Sequence, residues 1–252
     1  MRDSAAQLAR LRQVAAAPAR APATGEPDDW LASGLPRAHV HELYAAEPSD
    51  ASAAAGFAVA LALADGAASM LWLRTDAAER QGGRLHAAGL HELGLDPDTL
   101  IMAVLPDETA LLRAAGDAAR CAGLGIVMLE AWGRAPGLDL TATRRLQLAA
   151  ESSGATVLLL RVDAQPQPSA AATRWGVAAC PSTALAADAP GRPAFFIELQ
   201  RRRGGPAGRR WRVEWDRDTL AFDAAPLPGA DLPVDLDRAA AFDAPAPVRR
   251  TG

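Results

Sequence analysis

The residues best placed to do chemistry lie in the turn Ala45–Ser52. It joins an apolar strand at Val40–Tyr44 to an alanine-rich helix carrying Phe57, Val59, Leu61 and Leu63. A buried strand that feeds a helix through a tight turn presents free backbone N–H groups and the positive end of the helix dipole, which together suit a phosphate. The pattern that exploits this is Gly, four residues, then Gly-Lys-Ser/Thr, in which the glycines admit the phosphates and the lysine ammonium neutralises them. On that template Ala45 and Asp50 stand at the two glycines, Ala51 at the lysine and Ser52 at the hydroxyl, and only Ser52 fits. No lysine occurs anywhere in the chain. The turn carries two carboxylates instead, Glu47 and Asp50. Asp50 is expected to cap the helix with its side chain, worth about 1 kcal/mol. With Glu47 it would occupy the turn and repel an incoming phosphate. The other reading of Asp50 is a solvated turn residue without a role.

A second carboxylate, Glu130, ends the apolar run Gly125–Glu130. Active residues of α/β folds gather at such strand ends, so Glu130 reads either as a metal ligand or as a strand-end carboxylate. Other chemistry is missing. His39, His41, His86 and His91 lack acidic or cysteine neighbours at zinc spacing. Cys121 and Cys180 are far apart and read as reduced thiols packed in or near the core. No Gly-x-Ser-x-Gly elbow occurs. Arg201, Arg202 and Arg203 with Arg209 and Arg210 flank a glycine-rich hairpin tip, and Trp211 and Trp215 follow. That cluster reads as a contact for DNA phosphates or an acidic partner, or as a solvated tip.

The elements that position these groups alternate. Strand candidates at Ser69–Arg74, Leu100–Val104, Gly125–Glu130 and Thr156–Val162 are separated by helical stretches at 77–93, 107–121 and 141–152. Asp107 is placed to cap the second of these. Near-continuous apolar strands with helices between them predict a mostly parallel sheet covered on both faces. After Asp163 the pattern changes to a short strand at Trp175–Ala179 and an antiparallel pair, 194–203 with 209–216. Alternation in RRWRVEWD sets Trp211, Val213 and Trp215 on one face and Arg210, Arg212 and Glu214 on the other.

The chain has 252 residues, half of them apolar, and a formal charge of −4. These values suit one globular body and give no basis for bulk binding to nucleic acid or membrane. Residues 51–64 are apolar but too short to cross a bilayer, and no signal peptide is evident, so a soluble cytoplasmic protein is expected. Residues 1–20 form an amphipathic docking helix with Leu8, Leu11 and Val14 at helical spacing. Residues 21–29 are a proline-rich linker, 30–223 the body, and 224–252 a Pro/Ala/Asp-rich tail read as flexible.

LPRAHVHELYAAEPSDASA resembles the segment leading into the phosphate loop of RecA recombinases. HELGLDPDTLIMAVLPDETALLRAAGDAARCAGLGIVMLEAWG resembles the stretch of RecA that leads to its Walker B strand. GRPAFFIELQRRRGGPAGRRWRVEWD is similar to the closing segment of the ImuA family, RecA-like proteins of bacterial SOS-mutagenesis cassettes. Together these cover about residues 30–223 in a shared order. The resemblance implies a RecA-like α/β fold with an antiparallel C-terminal hairpin, and sets Glu130 at the Walker B position. Arg74-Thr75-Asp76 falls where RecA-like enzymes carry a catalytic glutamate, and short segments 131–139 and 164–171 fall on the two DNA-binding loops. It implies an accessory factor of damage-induced translesion synthesis that works with ImuB and an error-prone C-family polymerase, with RecA and self-association as further contacts. Because the phosphate loop departs at both glycines and the lysine, a non-catalytic role without ATP or Mg²⁺ is expected. Two other readings stay open. One is a non-standard ATPase using Glu130, donors of the 45–52 turn and Arg74 or Arg80 in place of lysine. The other is a single-strand DNA-binding module that limits recombination.

Overall fold

The computed structural model describes residues 34–67 and 69–225. Strand β1 (Val40–Ala45) passes through a 3-10 turn at Pro48–Asp50 into helix α1 (Ala51–Ala64). Strand β2 (Met70–Thr75) leads to two short helices, α2 (Asp76–Gly82) and α3 (Ala87–Glu92). Then come β3 (Leu100–Leu105), α4 (Glu108–Ala118), β4 (Ile126–Trp132), α5 (Leu140–Ser153) and β5 (Thr156–Val162). Four strands follow without a long helix: β6 (Thr173–Ala179), β7 (Ala194–Arg202), β8 (Arg209–Asp216) and β9 (Ala221–Ala225). All nine join one sheet in the order β3-β2-β4-β5-β1-β6-β7-β8-β9. Neighbours from β3 to β6 are parallel, and β7, β8 and β9 add antiparallel. This is the mostly parallel sheet with an antiparallel C-terminal end that the strand and helix alternation predicts.

Two cores follow from the strand alternation. In β5, Val157 and Leu159 face one side, while Leu158 and Leu160 face the other. The first side is covered by α4 and α5 through Leu111, Ala115, Leu146 and Ala150. The second is covered by α1, which is buried from Phe57 to Ala62 and is therefore apolar on nearly every side. Phe57 is fully buried, its ring 5.6 Å from Phe195 and 5.3 Å from Phe222. Helix starts obey the capping chemistry of their sequences: Asp107 accepts from the Ala110 N–H at 2.8 Å and Asp139 from the Ala142 N–H at 2.7 Å.

Three expectations are corrected. The predicted helix over 77–93 is broken, because Gly83 takes φ +76° after α2 and the chain restarts at α3. The boundary at 223/224 falls inside a strand: β9 continues to Ala225, pairs with β8 up to Arg212↔Ala225, and buries Phe222 against Trp215. Cys121 is exposed and Cys180 half-buried, so the first is not a core thiol. The docking helix read at residues 1–20, the linker at 21–29 and most of the tail lie outside the described residues.

His41, fully buried on β1, shows how the central strand tolerates a polar side chain. Its Nε2–H donates to the Pro36 carbonyl at 2.8 Å, and its Nδ1 accepts from the Thr173 hydroxyl at 2.7 Å. The Thr173 oxygen in turn accepts from the Trp175 indole N–H at 2.8 Å. This network suits the neutral ring, and burial pushes the His41 pKa down from 6.5 to about 4. Unfolding frees the ring to bind a proton below about pH 6.5, so the unfolded state holds more protons between about 6.5 and 4. Stability contributed by the neutral ring is full above that window and falls by about 3 kcal/mol as pH drops through it. Urea midpoints across this range should fall more steeply for the native chain than for His41→Asn; parallel pH profiles would refute the assignment.

Candidate functional site

Parallel pairing puts Arg74 of β2 beside Glu130 of β4, in register. Both side chains are almost wholly buried, 2% and 5% exposed, and the Arg74 Nη2 lies 2.8 Å from Glu130 Oε1. The same oxygen accepts from the Trp132 indole N–H at 2.7 Å, and Oε2 accepts from the Trp72 indole N–H at 2.9 Å. The carboxylate thus takes three donors from the sheet itself. Arg74 also donates to the carbonyls of Ala78 at 3.0 Å and Gly83 at 2.8 Å, ending α2 with a cation where the helix dipole favours one. Packing is tight enough to dictate a glycine: a Cβ on Gly82 would come within 2.6 Å of the Trp132 ring and 3.2 Å of Arg74 Nη2. Thr75, in the Arg74-Thr75-Asp76 segment that the resemblance sets against a catalytic glutamate, caps α2 by accepting from the Ala78 N–H at 3.1 Å.

The 45–52 turn is built differently from its sequence reading. Asp50 precedes α1 with φ −91° and ψ −2° and makes no side-chain capping bond to the helix. That helical backbone turns its carboxylate away from the first N–H groups. It is buried, and Oδ1 accepts from the Ala179 N–H at 2.9 Å, tying the turn to the end of β6. Glu47 is exposed and accepts from the Ser49 hydroxyl at 3.3 Å. Ala45 is buried, Ala51 half-buried and Ser52 exposed on the first turn of α1. Strand β5 separates β1 from β4, so Glu130 stands roughly 10 Å from the β1 backbone, two strand spacings away.

The two segments that match recombinase DNA loops are both held by the body. Glu108 Oε1 accepts the N–H groups of Gly137 at 2.8 Å and Leu138 at 3.2 Å, and a Cβ on Gly137 would sit 3.0 Å from that oxygen. Arg201 donates to the carbonyls of Ser169 and Ala171, and Arg203 to that of Ala170. Beneath them Glu42, 2% exposed, accepts from Arg174 and from the Ser169 hydroxyl, both at 2.8 Å. The Arg161 and Arg174 guanidiniums lie 5.8 Å and 5.4 Å from the Tyr44 ring. Burial, with the Glu42 charge next, pushes the Tyr44 phenol up.

The arginine cluster predicted at the hairpin tip is therefore divided. Arg201 and Arg203 hold the 169–171 loop, Arg210 pairs with Glu198 at 3.2 Å, Arg202 is half-buried and Arg209 exposed. Trp211 is half-buried with its ring 6.0 Å from Trp175, on the core face that its alternation dictates. Among the described residues no group of three His, Cys, Asp or Glu side chains could hold a metal. Among the described residues no helix is long and apolar enough to cross a membrane. Sequence reading singled out Glu130 and Arg74 separately and missed their pairing, along with Trp72 and Trp132. The sequence carries Trp-x-Arg on β2 and Glu-x-Trp on β4, but β3 lies between them in the chain and only the sheet order sets them side by side.

Replacing Arg74 by Met leaves the Glu130 carboxylate buried without its counter-charge, and should cost about 3–5 kcal/mol in urea denaturation. Arg74→Met with Glu130→Leu removes both charges, so the pair should cost clearly less than the two single changes added together. Strict additivity would mean that the contact carries no coupling.

No family model matches the chain. Two curated relatives named Protein ImuA, from Caulobacter vibrioides strains NA1000 / CB15N and ATCC 19089 / CIP 103742 / CB 15, are each 34% identical over 191 residues. The match takes in 69% of this chain and 74% of each relative. Among solved structures, a RadB recombinase superposes with a TM-score of 0.53 at 13% identity, over 79% of this chain and 96% of its own. That likeness is one of fold, and it agrees with the sheet order and the C-terminal antiparallel strands described above. With a third of its aligned residues shared across most of both chains, this protein belongs to the ImuA family.

Proposed function

We propose that the chain is a non-catalytic, RecA-like accessory protein of damage-induced translesion DNA synthesis, acting in the cytoplasm as a scaffold that binds ImuB. RecA, the error-prone C-family polymerase and further copies of the chain are the other contacts in this reading. The observation that carries it is the Arg74–Glu130 contact with its two indole donors. A Mg²⁺ ion takes oxygen ligands with their lone pairs free, whereas the Glu130 oxygens already accept three N–H groups, one from a guanidinium. The turn offers no ammonium for a triphosphate, and the chain has no lysine to supply one. Those residues do not fit ATP with Mg²⁺, so the reading includes neither cofactor and no hydrolysis.

Neither alternative gains an observation of its own. An ATPase with arginine in place of lysine needs Arg74 free, but it is bound to Glu130, Ala78 and Gly83; Arg80 is exposed on α2. For a single-strand DNA module, Arg203, Arg209 and Arg210 are exposed at the hairpin, although Arg201 and Arg203 also donate to backbone carbonyls of the body and Arg210 pairs with Glu198.

Titrating the chain into ImuB, with and without millimolar ATP and Mg²⁺, tests this reading. The expected result is one complex whose Kd changes less than twofold with nucleotide, and no phosphate release above buffer. Loss of the complex without ATP, or turnover abolished by Glu130→Gln, would refute it. A single-stranded oligonucleotide bound tightly without ImuB, with steep salt dependence, would move the assignment to the DNA module.

A further inference from the structure

Among the described residues two arginines are buried, Arg74 at 1% and Arg161 at 2% exposure. Arg74 is paired with Glu130. Arg161, on β5, meets no carboxylate among the described residues. Its Nη2 donates to the Gly133 carbonyl at 3.4 Å, near the outer limit of a hydrogen bond, and its Nε is buried without a partner. Beside it in register on β1 is Tyr44, 1% exposed, whose hydroxyl is also buried without a hydrogen bond. The Gln167 backbone is the polar group that stands near this phenol. Tyr44 alternates with Leu43 and Ala45, which pack in the α1 core, and Arg161 follows Leu159, which packs in the core under α4 and α5. The pair thus faces away from α1.

Charge around the pair is uneven. Arg161 and Arg174 flank the Tyr44 ring, and Arg201 donates to the same Ser169 hydroxyl as Arg174. Glu42, paired with Arg174, is the carboxylate found with them. Three guanidiniums against one carboxylate leave an excess of two positive charges. Burial, with the Arg174 charge next, pushes the Arg201 pKa down. A guanidinium taken out of water without a counter-ion is costly, and a buried donor without an acceptor marks a missing group. We propose that Arg161 and Tyr44 form a binding site for a small phosphate-type oxyanion, with the Arg161 Nε and the Tyr44 hydroxyl as donors. A divalent phosphate matches the excess of two, where a single carboxylate would leave one charge over. Its oxygens also suit the planar fork of a guanidinium. Entry is past Gly133, which takes φ +61° and has no atom within 4 Å of where a Cβ would stand. Its peptide has room to turn the carbonyl off Arg161. A polymer has no such route to side chains this buried, so the phosphate is free or carried by a small molecule. The proposal depends neither on the scaffold reading nor on whether the 45–52 turn binds nucleotide.

Equilibrium dialysis of the full chain against radiolabelled inorganic phosphate, at constant ionic strength, tests it. The native chain should show one saturable site. Arg161→Met removes a charge without a partner, so it should keep the native urea midpoint while abolishing phosphate binding. Tyr44→Phe removes a hydroxyl that bonds to nothing, and should weaken binding at least threefold. Should Arg161→Met fail to fold, Tyr44→Phe carries the test alone. Competition identifies the source of the group. A nucleoside monophosphate that displaces the label at lower concentration than unlabelled phosphate would assign it to a nucleotide, and weaker displacement to the free ion. The absence of a saturable site, or binding unchanged in the variants, would overturn the proposal. So would displacement of the label by a single-stranded oligonucleotide, which would assign the arginines to a nucleic-acid backbone.

Discussion

Much of this structure turns on a single buried carboxylate. Glu130 stands at the C-terminal end of a central parallel strand, where an anion costs a great deal unless every lone pair finds a donor. Its donors come from one neighbouring strand and from its own: a guanidinium and an indole from β2, and a second indole from β4. Arg74 is answered in turn by two carbonyls of the segment after β2, so α2 must end where it does and Gly82 must lack a side chain. Charge neutralisation, helix termination and the choice of glycine are thus one physical problem with one solution.

The same economy runs through the other polar contacts. Asp50, in a turn of the right shape for a phosphate, is directed to the end of β6. Glu108 holds one loop, and Arg201 with Arg203 holds another. Each of these groups closes a contact within the domain.

Much of the fold was legible because its signals are strong and local. Apolar runs of strand length between helical stretches give a parallel sheet, and the β8 alternation set Trp211, Val213 and Trp215 on one face, which the structure packs on the core. Asp107 was legible as a cap because its spacing to the Ala110 N–H is set by helix geometry alone. What was not legible depends on partners distant in sequence. Asp50 satisfied the composition rule for a cap, but its destination is 129 residues away and its backbone had already turned helical. The break after Gly82 needed knowledge of where Arg74 donates, and β9 needed Trp215 and Phe57 as surfaces for Phe222. The arginine cluster misled for the same reason, since a run of like charge says nothing of the carbonyls within its reach.

The most direct measurement is a crystal structure of the full chain grown with a non-hydrolysable ATP analogue and Mg²⁺ in large excess. Arg74 should remain at about its 2.8 Å contact with Glu130, with no density for phosphate or metal at the first turn of α1. Phosphates seated on that turn, with Arg74 swung away and Glu130 facing a metal, would contradict the non-catalytic reading and make this chain a nucleotide-driven machine.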